Sequence, residues 1–381
     1  MSKANSVGNY GIGCRVREAR KSMGLRQSDL SDITGLPASH LSDIEREALT
    51  PTIPTLRKIG QALNRPLEYF LQGDDWPRSM GMVIHRTSIG GQAAARFAQL
   101  VEEKTDGDLR LHIYHCATLG TAREQVEGLA EGAIHIYIDE PLSFERYAPL
   151  CGPAFLPYFF RDREHYHRFL RSTIFEEHIH QKLLDNGIRL LNPASNWECG
   201  SFEVLFSTDP IFTPEDLVGR RFRSYASDPA VALRRALGAE PVVVEWERTY
   251  EAFKQGRVDT FLSPAAYFYS LKVHELARYA TLLSYGYTLN LIVAISEREY
   301  HKLSPTVQQV LTEAIEETGV YCTQLANEQT VVDLERLSGE HGLPVIHPAP
   351  EAWRNSLAAA IRQICDEGLL AREMYEELQN L

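Results

Sequence analysis

The feature that most constrains this chain is a stretch near its beginning, residues 25–46, in which two short amphipathic helices flank a glycine. Leu30 and Ile33 lie three positions apart, and the second helix repeats this spacing, so each helix is expected to carry one apolar stripe. Gly35 supplies the positive φ that a tight turn between the helices requires. The pattern predicts a helix-turn-helix at the start of a chain of 381 residues.

Helical periodicity continues on both sides of this pair. A basic helix with an apolar stripe that includes Met23 precedes it, and Leu56, Ile59, Leu63, Leu67 and Phe70 follow with the spacing of a five-helix core. Marker positions of one family occur in order along the stretch: Gln27, Leu41, Ile44, Glu45, Arg46, Pro54, Leu56, Ile59, Ala62 and Leu63. With these residues, 12–72 resembles the phage-repressor (Cro-like, or XRE-type) helix-turn-helix family, which implies an all-α DNA-binding domain over residues 1–73.

The resemblance also implies which side chains contact DNA. Base-facing positions correspond to Ala38, Ser39, His40 and Asp43, with Ser42 close by. Gln27 and the start of the second helix are expected to hold a phosphate. Two residues depart from the family pattern, because Arg26 occupies the usual Ser or Thr N-cap and Glu47 replaces the usual Gly after the recognition helix. Basic side chains expected near the DNA backbone are Arg17, Arg20, Lys21, Arg26 and Arg46.

Charge separates this head from the rest of the chain. Residues 1–72 carry ten Lys and Arg against seven Asp and Glu, a net of +3, whereas residues 73–381 carry 29 against 44, a net of −15. Positive charge confined to one module of an acidic chain is what phosphate binding requires. A helical bundle that contacts only proteins remains the alternative.

The remaining composition bears on location. The six cysteines are scattered without a C-x-x-C pair, which is typical of reduced thiols. Residues 1–24 lack the apolar segment of a signal peptide, and no stretch approaches the about 20 apolar residues of a membrane span. We therefore expect a cytoplasmic protein that does not interact with a membrane. Residues 74–79, rich in charges and turn formers, are expected to be a linker.

From residue 80 the pattern alternates between strands and helices. Period-two and helical patterns predict strands at 82–85, 109–114 and 133–138, helices at 92–104 and 124–131, and an unusually long helix at 306–337. Such an order predicts an α/β module with a mostly parallel sheet.

A second set of motifs runs through this module. Its members, in chain order, are Gly107, Leu109 and Leu111; Gly120 and Glu124; Leu129, Gly132 and Ile136; Phe155, Pro157 and Phe160; Pro214, Leu217, Gly219 and Arg223; Leu237, Gly238 and Pro241; Tyr250, Phe253, Gly256 and Asp259. With them, residues 80–381 resemble the DctP-type solute-binding proteins of TRAP transporters. That family implies a periplasmic-binding-protein-like fold with two discontinuous lobes, a long connecting helix and an organic acid held between the lobes.

The resemblance implies that Arg223 forms a bidentate salt bridge with the ligand carboxylate, a geometry for which a planar guanidinium is suited. Four departures alter the rest of the cleft: Phe202 stands where a second Arg is common, Ser263 replaces an Asn, Leu262 replaces an acidic residue, and Trp246 replaces a Phe. A cleft with one carboxylate clamp and more aromatic surface favours an aromatic carboxylate over a sugar acid or a dicarboxylate. Further candidates for the cleft are Trp197, Tyr225, Tyr267, Tyr285, Tyr287 and Arg86, and for each of these aromatic residues packing in the core is the favoured alternative.

Other constellations do not form convincing sites. His165 and His167, like His178 and His180, lie two apart and would face different sides of a helix, so we expect solvated helix surface rather than a metal site. The loop at residues 88–92 lacks the Lys of a P-loop. No nucleophile, base and acid can be assembled into a catalytic set. We expect no enzymatic activity, no metal and no cofactor.

The two modules together predict a one-component transcriptional regulator. A homodimer would bind an inverted-repeat operator in double-stranded DNA, and a small organic carboxylate in the second module would modulate that binding. The alternative is a DNA-binding protein whose second module has lost its ligand and serves only as a dimerisation scaffold.

Overall fold

The structure is a computed structural model that describes residues 11–71, 79–84, 89–115, 119–194, 196–200, 203–264, 267–283 and 290–381. Arg86, Phe202, Tyr285 and Tyr287 lie outside the described residues.

The N-terminal head consists of the five expected helices. Val16, Leu30, Leu41 and Phe70 are fully buried and form its core. Ile33 and Met23 were expected on apolar stripes but are 57% and 47% exposed, so that expectation was wrong. A step of three residues turns about 300° around a helix, which places Ile33 at the edge of the narrow buried stripe. The head helices are α1 (Ile12–Ser22), α2 (Gln27–Thr34), α3 (Ala38–Glu45), α4 (Ile53–Ala62) and α5 (Glu68–Leu71).

A buried ion pair ties the first three helices together. Arg20 on α1 donates from Nε and Nη2 to the two carboxylate oxygens of Glu45 on α3, at 2.5 and 2.8 Å, and from Nη1 to the Leu25 carbonyl at 2.7 Å. Gln27 on α2 donates to the same carboxylate at 2.8 Å. The expectation that Arg20 contacts DNA phosphate was therefore wrong, because its guanidinium is buried and fully engaged inside the head.

The same pair makes the head sensitive to acid. Burial alone would raise the pKa of Glu45, but the hydrogen bonds from Arg20 and Gln27 lower it below its usual value. A carboxyl group whose pKa is lower in the folded state stabilises that state above its unfolded pKa, near 4.5 for Glu. This contribution is lost as the pH falls through the folded-state pKa.

Both departures from the helix-turn-helix pattern have a local explanation. Asp29 supplies the reciprocal contact of a capping box, because its carboxylate accepts from the Arg26 backbone N–H at 2.7 Å and from the Arg26 guanidinium at 3.2 Å. Glu47 adopts a φ of 60°, the left-handed conformation that Gly favours, and its N–H donates to the Ile44 carbonyl at 2.9 Å. The recognition helix α3 thus ends normally without a glycine.

The C-terminal module begins at Ser79, the last residue of the expected linker. Its elements in chain order are β1 (Ser79–Ile84), α6 (Ile89–Lys104), β2 (Arg110–His115), α7 (Ala122–Ala130), β3 (Ile136–Asp139), α8 (Arg163–Leu170), α9 (Thr173–Phe175), α10 (Gln181–Asp185), β4 (Ile188–Leu190), β5 (Glu203–Ser207), β6 (Arg221–Ser224), α11 (Asp228–Ala236), β7 (Glu240–Val243), α12 (Thr249–Lys254), β8 (Thr260–Pro264), α13 (Phe268–Leu271), β9 (Tyr279–Leu283), β10 (Ile292–Ser296), α14 (Glu297–Tyr300), α15 (Pro305–Gly339), β11 (Val345–Ile346), α16 (Pro350–Asp366) and α17 (Arg372–Gln379).

These strands form two sheets, one in each lobe. The first lobe has the order β2-β1-β3-β10-β4, and the second has β11-β9-β5-β8-β6-β7. Both sheets are mostly parallel, as the sequence predicted, and each contains one reversed strand: β10 runs antiparallel to β3 and β4, and β5 runs antiparallel to β8 and β9. β10 enters the first sheet after the chain has passed through the second lobe, which makes both lobes discontinuous in sequence.

The long helix α15 connects the lobes, as the sequence predicted. Its first half packs against α6 of the first lobe through Leu311, Ala314 and Ile315. Further along, Thr330 lies beside Gly200, and Leu337 enters the core of the second lobe. A helix of 35 residues thus spans both lobes.

The ion pair of the head gives a prediction with a matched control. Arg20→Ala leaves Glu45 buried without its counter-charge, which we expect to cost about 3–5 kcal/mol of head stability. Arg17→Ala, an exposed arginine on the same helix, should change stability by less than about 0.5 kcal/mol. Hydrogen exchange of the amides in α1–α3 measures both in the full chain. Equal loss of protection in the two variants would contradict the account.

Candidate functional site

A cleft of about 620 Å³ lies between the two lobes. The first lobe contributes the start of α7 and the segment that follows β3, and the second contributes the end of β6 and the turn after β7. The residues that line it are Thr121, Ala122, Arg123, Asp139, Glu140, Leu142, Ser143, Glu145, Arg146, Arg223, Tyr225, Ala226, Ser227, Asp228, Glu245 and Trp246.

Arg223 is the buried cation of this cleft. Its side chain is only 2% exposed, and its Nε donates to the Val244 carbonyl at 3.0 Å. Among the described residues its Nη1 has no hydrogen-bond partner. The guanidinium carbon lies 4.1 Å from the ring centre of Tyr225 and 5.4 Å from that of Trp246. A guanidinium held by two rings, with a donor left over, is arranged to receive an anion from the cleft.

Arg234 on α11 holds Arg223 in place. Its Nε donates to the backbone carbonyl of Arg223 at 2.8 Å, and its Nη1 donates to the Ala230 carbonyl at 2.8 Å. Arg234 also lines a small cavity of about 60 Å³, which shares Tyr225 and Glu140 with the main cleft. The sequence analysis missed this residue, since an arginine on a helix normally indicates solvated surface.

The opposite, acidic wall of the cleft carries the carboxyl groups of Asp139, Glu140 and Glu145, and two exposed arginines, Arg123 and Arg146, also line it. Asp139 accepts hydrogen bonds from the hydroxyls of Tyr137 and Ser143, at 2.7 and 2.6 Å, and from the Glu140 N–H at 2.8 Å. Burial raises the pKa of Glu145, which a hydrogen bond from Ser227 only partly offsets. The sequence analysis did not identify these carboxylates, although Asp139 ends a parallel strand, where α/β sheets often bind ligands.

Of the predicted ligand-binding residues, the structure brings Arg223, Tyr225 and Trp246 together. It buries three others elsewhere, so placing them in the cleft was wrong. Trp197 donates to the Ile315 carbonyl of α15 at 3.2 Å, the Tyr267 hydroxyl lies 3.4 Å from Cys199 Sγ, and the Ser263 hydroxyl donates to the Pro264 carbonyl at 3.1 Å. Each is less than 2% exposed and serves the packing of the core.

The second candidate surface is the outer side of the head. Ala38 and Ser39 are exposed at the start of α3, and His40, Ser42 and Asp43 are partly exposed behind them. The Arg46 guanidinium pairs with the Asp43 carboxylate at 2.7 Å, which restrains both side chains. Arg17, Lys21 and Arg26 are exposed, whereas Gln27 is partly occupied by its hydrogen bond to Glu45.

The head and the first lobe meet at α4 and α7. The side chain of Arg57 on α4 pairs with Glu131, at the end of α7, at 2.5 Å. Beneath this pair, Ile53 Cδ1 lies 3.9 Å from the position that a Cβ would take on Gly128. Ile53, Val126 and Leu129 belong to one continuous apolar core. α7 therefore borders the cleft at its first turn and contacts the head at its last.

The histidines set aside as solvated helix surface include one that is not. His165 is fully buried, with its Nε2 2.7 Å from the Leu378 carbonyl and its Nδ1 accepting from the Arg161 N–H at 3.1 Å. Within the described residues, no group of three or more His, Cys, Asp or Glu side chains is placed to hold a metal ion. In the same part of the chain, no helix has the length and apolar character needed to cross a membrane.

Comparison with known families agrees with the division of the chain into a helical head and a two-lobed module. Residues 80–368 match the bacterial extracellular solute-binding proteins of family 7, and residues 16–70 match the helix-turn-helix family. Because the first match covers most of the chain, the chain belongs to the family 7 solute-binding proteins and carries a helix-turn-helix head. The fusion inferred from the motifs is confirmed.

Relatives with assigned ligands include two periplasmic proteins. The chain is 28% identical to the 2,3-diketo-L-gulonate-binding periplasmic protein of Escherichia coli K12 over 243 residues, which are 63% of this chain and 73% of that protein. It is 27% identical to the C4-dicarboxylate-binding periplasmic protein of Rhodobacter capsulatus over 281 residues, 73% of this chain and 81% of that protein.

Solved structures confirm the two-lobed fold. A TRAP periplasmic solute-binding protein from Sulfitobacter sp. NAS-14.1 with bound β-D-galacturonate has a TM-score of 0.71 and 18% identity, covering 80% of this chain and 100% of that one. The sugar acid binding protein of Advenella mimigardefordensis in complex with galactonate has a TM-score of 0.71 and 20% identity, covering 80% of this chain and 97% of that one.

The geometry around Arg223 gives a prediction for ligand binding. Arg223→Ala should lower the affinity for the best monocarboxylate of a thermal-shift screen by about 2–5 kcal/mol, because it removes a buried charge-assisted contact. Arg223→Lys should recover little, since an ammonium lacks the planar fork. Arg221→Ala is the matched control, because that arginine lies on the same strand but is exposed. Calorimetry showing unchanged affinity in Arg223→Ala would place the carboxylate elsewhere.

Proposed function

We propose that this protein is a ligand-responsive, one-component transcriptional regulator. The helix-turn-helix head binds an operator, and a carboxylate in the cleft between the lobes changes the affinity of that binding. The observation that carries the proposal is the position of α7, which borders the cleft through Thr121, Ala122 and Arg123 and contacts the head through Gly128 and Glu131.

The proposed mechanism follows from the positions of Arg223 in the second lobe and of α7 in the first. A ligand anchored by Arg223 in the second lobe also meets α7 in the first lobe, so it binds the closed arrangement of the lobes better than the open one. Closure shifts α7, a short helix that begins with a hydrogen-bonded capping box between Thr121 and Glu124. The shift is passed to α4 through the Ile53 contact and the ion pair between Arg57 and Glu131.

This function sets requirements for the whole protein. Helix-turn-helix heads of this type read two half-sites of an inverted repeat, so the active form is a homodimer. The protein acts where DNA is present, in the cytoplasm, and the cleft serves detection rather than transport. No catalytic step is required.

The ligand we propose is a planar monocarboxylate with a hydrogen-bond donor at its far end. Tyr225 and Trp246 beside Arg223 support the expectation of an aromatic acid, although Phe202, part of the original argument, lies outside the described residues. The acidic wall with Asp139, Glu140 and Glu145 adds a requirement: carboxyl oxygens accept hydrogen bonds, and negative charge on such a wall repels a second anion.

The ligand proposal predicts an order of affinities within one ring series. 4-Hydroxybenzoate should bind more tightly than benzoate, and benzoate more tightly than terephthalate, whose second carboxylate would face the acidic wall. D-Glucuronate should bind less tightly than 4-hydroxybenzoate, because unmatched buried hydroxyls cost roughly 1–3 kcal/mol each. Competition calorimetry at fixed pH and salt measures the order, and Glu145→Gln should narrow the gap between benzoate and terephthalate. Tightest binding of terephthalate or D-glucuronate would overturn the ligand class but not the regulator.

Coupling through α7 predicts the outcome of a charge swap. Reversing the charge of one partner, as in Arg57→Glu, should reduce the ligand-induced change in operator affinity by up to about 5-fold. That factor corresponds to the upper end of the free energy that a surface ion pair contributes. Combining Arg57→Glu with Glu131→Arg should restore it. Lys58→Glu, an exposed neighbour on α4, controls for the change in head charge. Anisotropy titrations on an operator selected by the wild-type protein, with and without ligand, measure the ratio of the two operator affinities.

The same titrations distinguish this function from the alternative, in which the second module has lost its ligand and serves only as a dimerisation scaffold. If no carboxylate shifts the unfolding temperature and the operator affinity is independent of every ligand tested, the second module is a scaffold. If ligand changes operator affinity but the charge swap does not restore the effect of ligand, the protein is still a ligand-responsive regulator. The coupling then runs through another contact.

A further inference from the structure

One face of α15 carries a concentration of exposed apolar side chains. Val320 is 66% exposed, Tyr321 41%, Val331 59% and Val332 48%. The other large apolar side chains that are exposed in the described part of the chain are spread over the head and the second lobe. Exposed apolar residues grouped on one helix face mark an interaction surface more often than scattered ones do.

The helical period places all four on one side of α15. Val320 and Val331 are eleven residues apart, close to three full turns at 3.6 residues per turn, and so are Tyr321 and Val332. The two pairs form parallel ridges along the helix. Gln324 and Glu328 lie between the ridges and are joined by a hydrogen bond of 2.9 Å.

The order of these residues is symmetric about the level of Ala326. Val320 and Val332 stand six positions on either side of it, Tyr321 and Val331 five, and Gln324 and Glu328 two. When two copies of such a helix pack antiparallel with their two-fold axis at that level, each ridge faces the same ridge of the other copy, so Val320 faces Val331, Tyr321 faces Val332, and the Gln324 amide lies level with the Glu328 carboxylate. A two-fold interface requires this self-complementarity.

We propose that this face of α15 is the surface through which two copies of the chain form a two-fold symmetric dimer. The inference rests on the proposed regulator, which calls for two heads, and it identifies the surface that joins them. The opposite side of α15 is already covered by α6 and by the core of the first lobe.

A groove beside α15 enlarges the surface. A single helix face is smaller than the about 800 Å² per subunit that a standard interface buries. The groove has a volume of about 530 Å³ and runs along the Val320 ridge, where it offers space for side chains of a second copy. It is lined by Arg163, His167, Ala194, Asn196, Glu198, Val320, Thr323, Gln324, Asn327 and Glu328.

The first test introduces a negative charge at one end of a ridge. Val331→Asp should raise the dimer dissociation constant of the full chain at least 10-fold in sedimentation velocity and weaken operator binding. Its affinity for the carboxylate ligand should be unchanged, which separates failure of this inference from failure of the proposed function. Val218→Asp, at an equally exposed valine away from α15, should leave the dimer intact. A monomeric wild-type protein, or a Val331→Asp variant that dimerises as the wild type does, would overturn the proposal.

The second test fixes the register. In a background in which Cys14 and Cys116 are replaced by Ser, Val320→Cys combined with Val331→Cys should give a covalent dimer under mild oxidation. Either cysteine alone should not, because position 320 lies about 18 Å and position 331 about 15 Å along the axis from the same position in the other copy, at a rise of 1.5 Å per residue. Cross-linking by a single variant, or none by the pair in a protein that is dimeric, would exclude this packing.

Discussion

A buried guanidinium with an unsatisfied donor is the interaction on which the account of this protein depends. Leaving a buried charged donor unpaired costs on the order of 1–3 kcal/mol or more, so the surrounding structure must hold it there. The Val244 carbonyl, the rings of Tyr225 and Trp246, and Arg234 behind the strand do so. A carboxylate that enters the cleft relieves this cost, and binding is thereby tied to one position of the second lobe.

In the proposed mechanism the first lobe passes ligand binding to the head, because its side of the cleft includes a helix that also touches the head. The far end of α7 lies against α4, with Ile53 in a shared apolar core and Arg57 paired with Glu131. The short distance between cleft and head removes the need for a long chain of coupled residues.

The sequence predicted features that depend on local pattern or on a shared motif. The five helices of the head, the long helix and the position of Arg223 followed from periodicity and from the family motifs. The sequence predictions were wrong where tertiary contacts determine the role of a residue. Arg20 looks like a DNA contact because its partner Glu45 lies on another helix, and Trp197 looks like a cleft residue although α15 buries it. Asp139 was missed although its position at the end of a strand was a signal, and Arg234 gave none, because its bond to the Arg223 carbonyl exists only once α11 packs against β6.

The most direct test of coupling between cleft and head is hydrogen exchange of the full-length protein with and without a bound carboxylate. The account predicts changed exchange in α7 and in the amides of α4, residues 53–62, of the wild type, and no change at α4 in Arg223→Ala at the same ligand concentration. Protection confined to the cleft, with α4 exchanging at the same rate in both states, would contradict it.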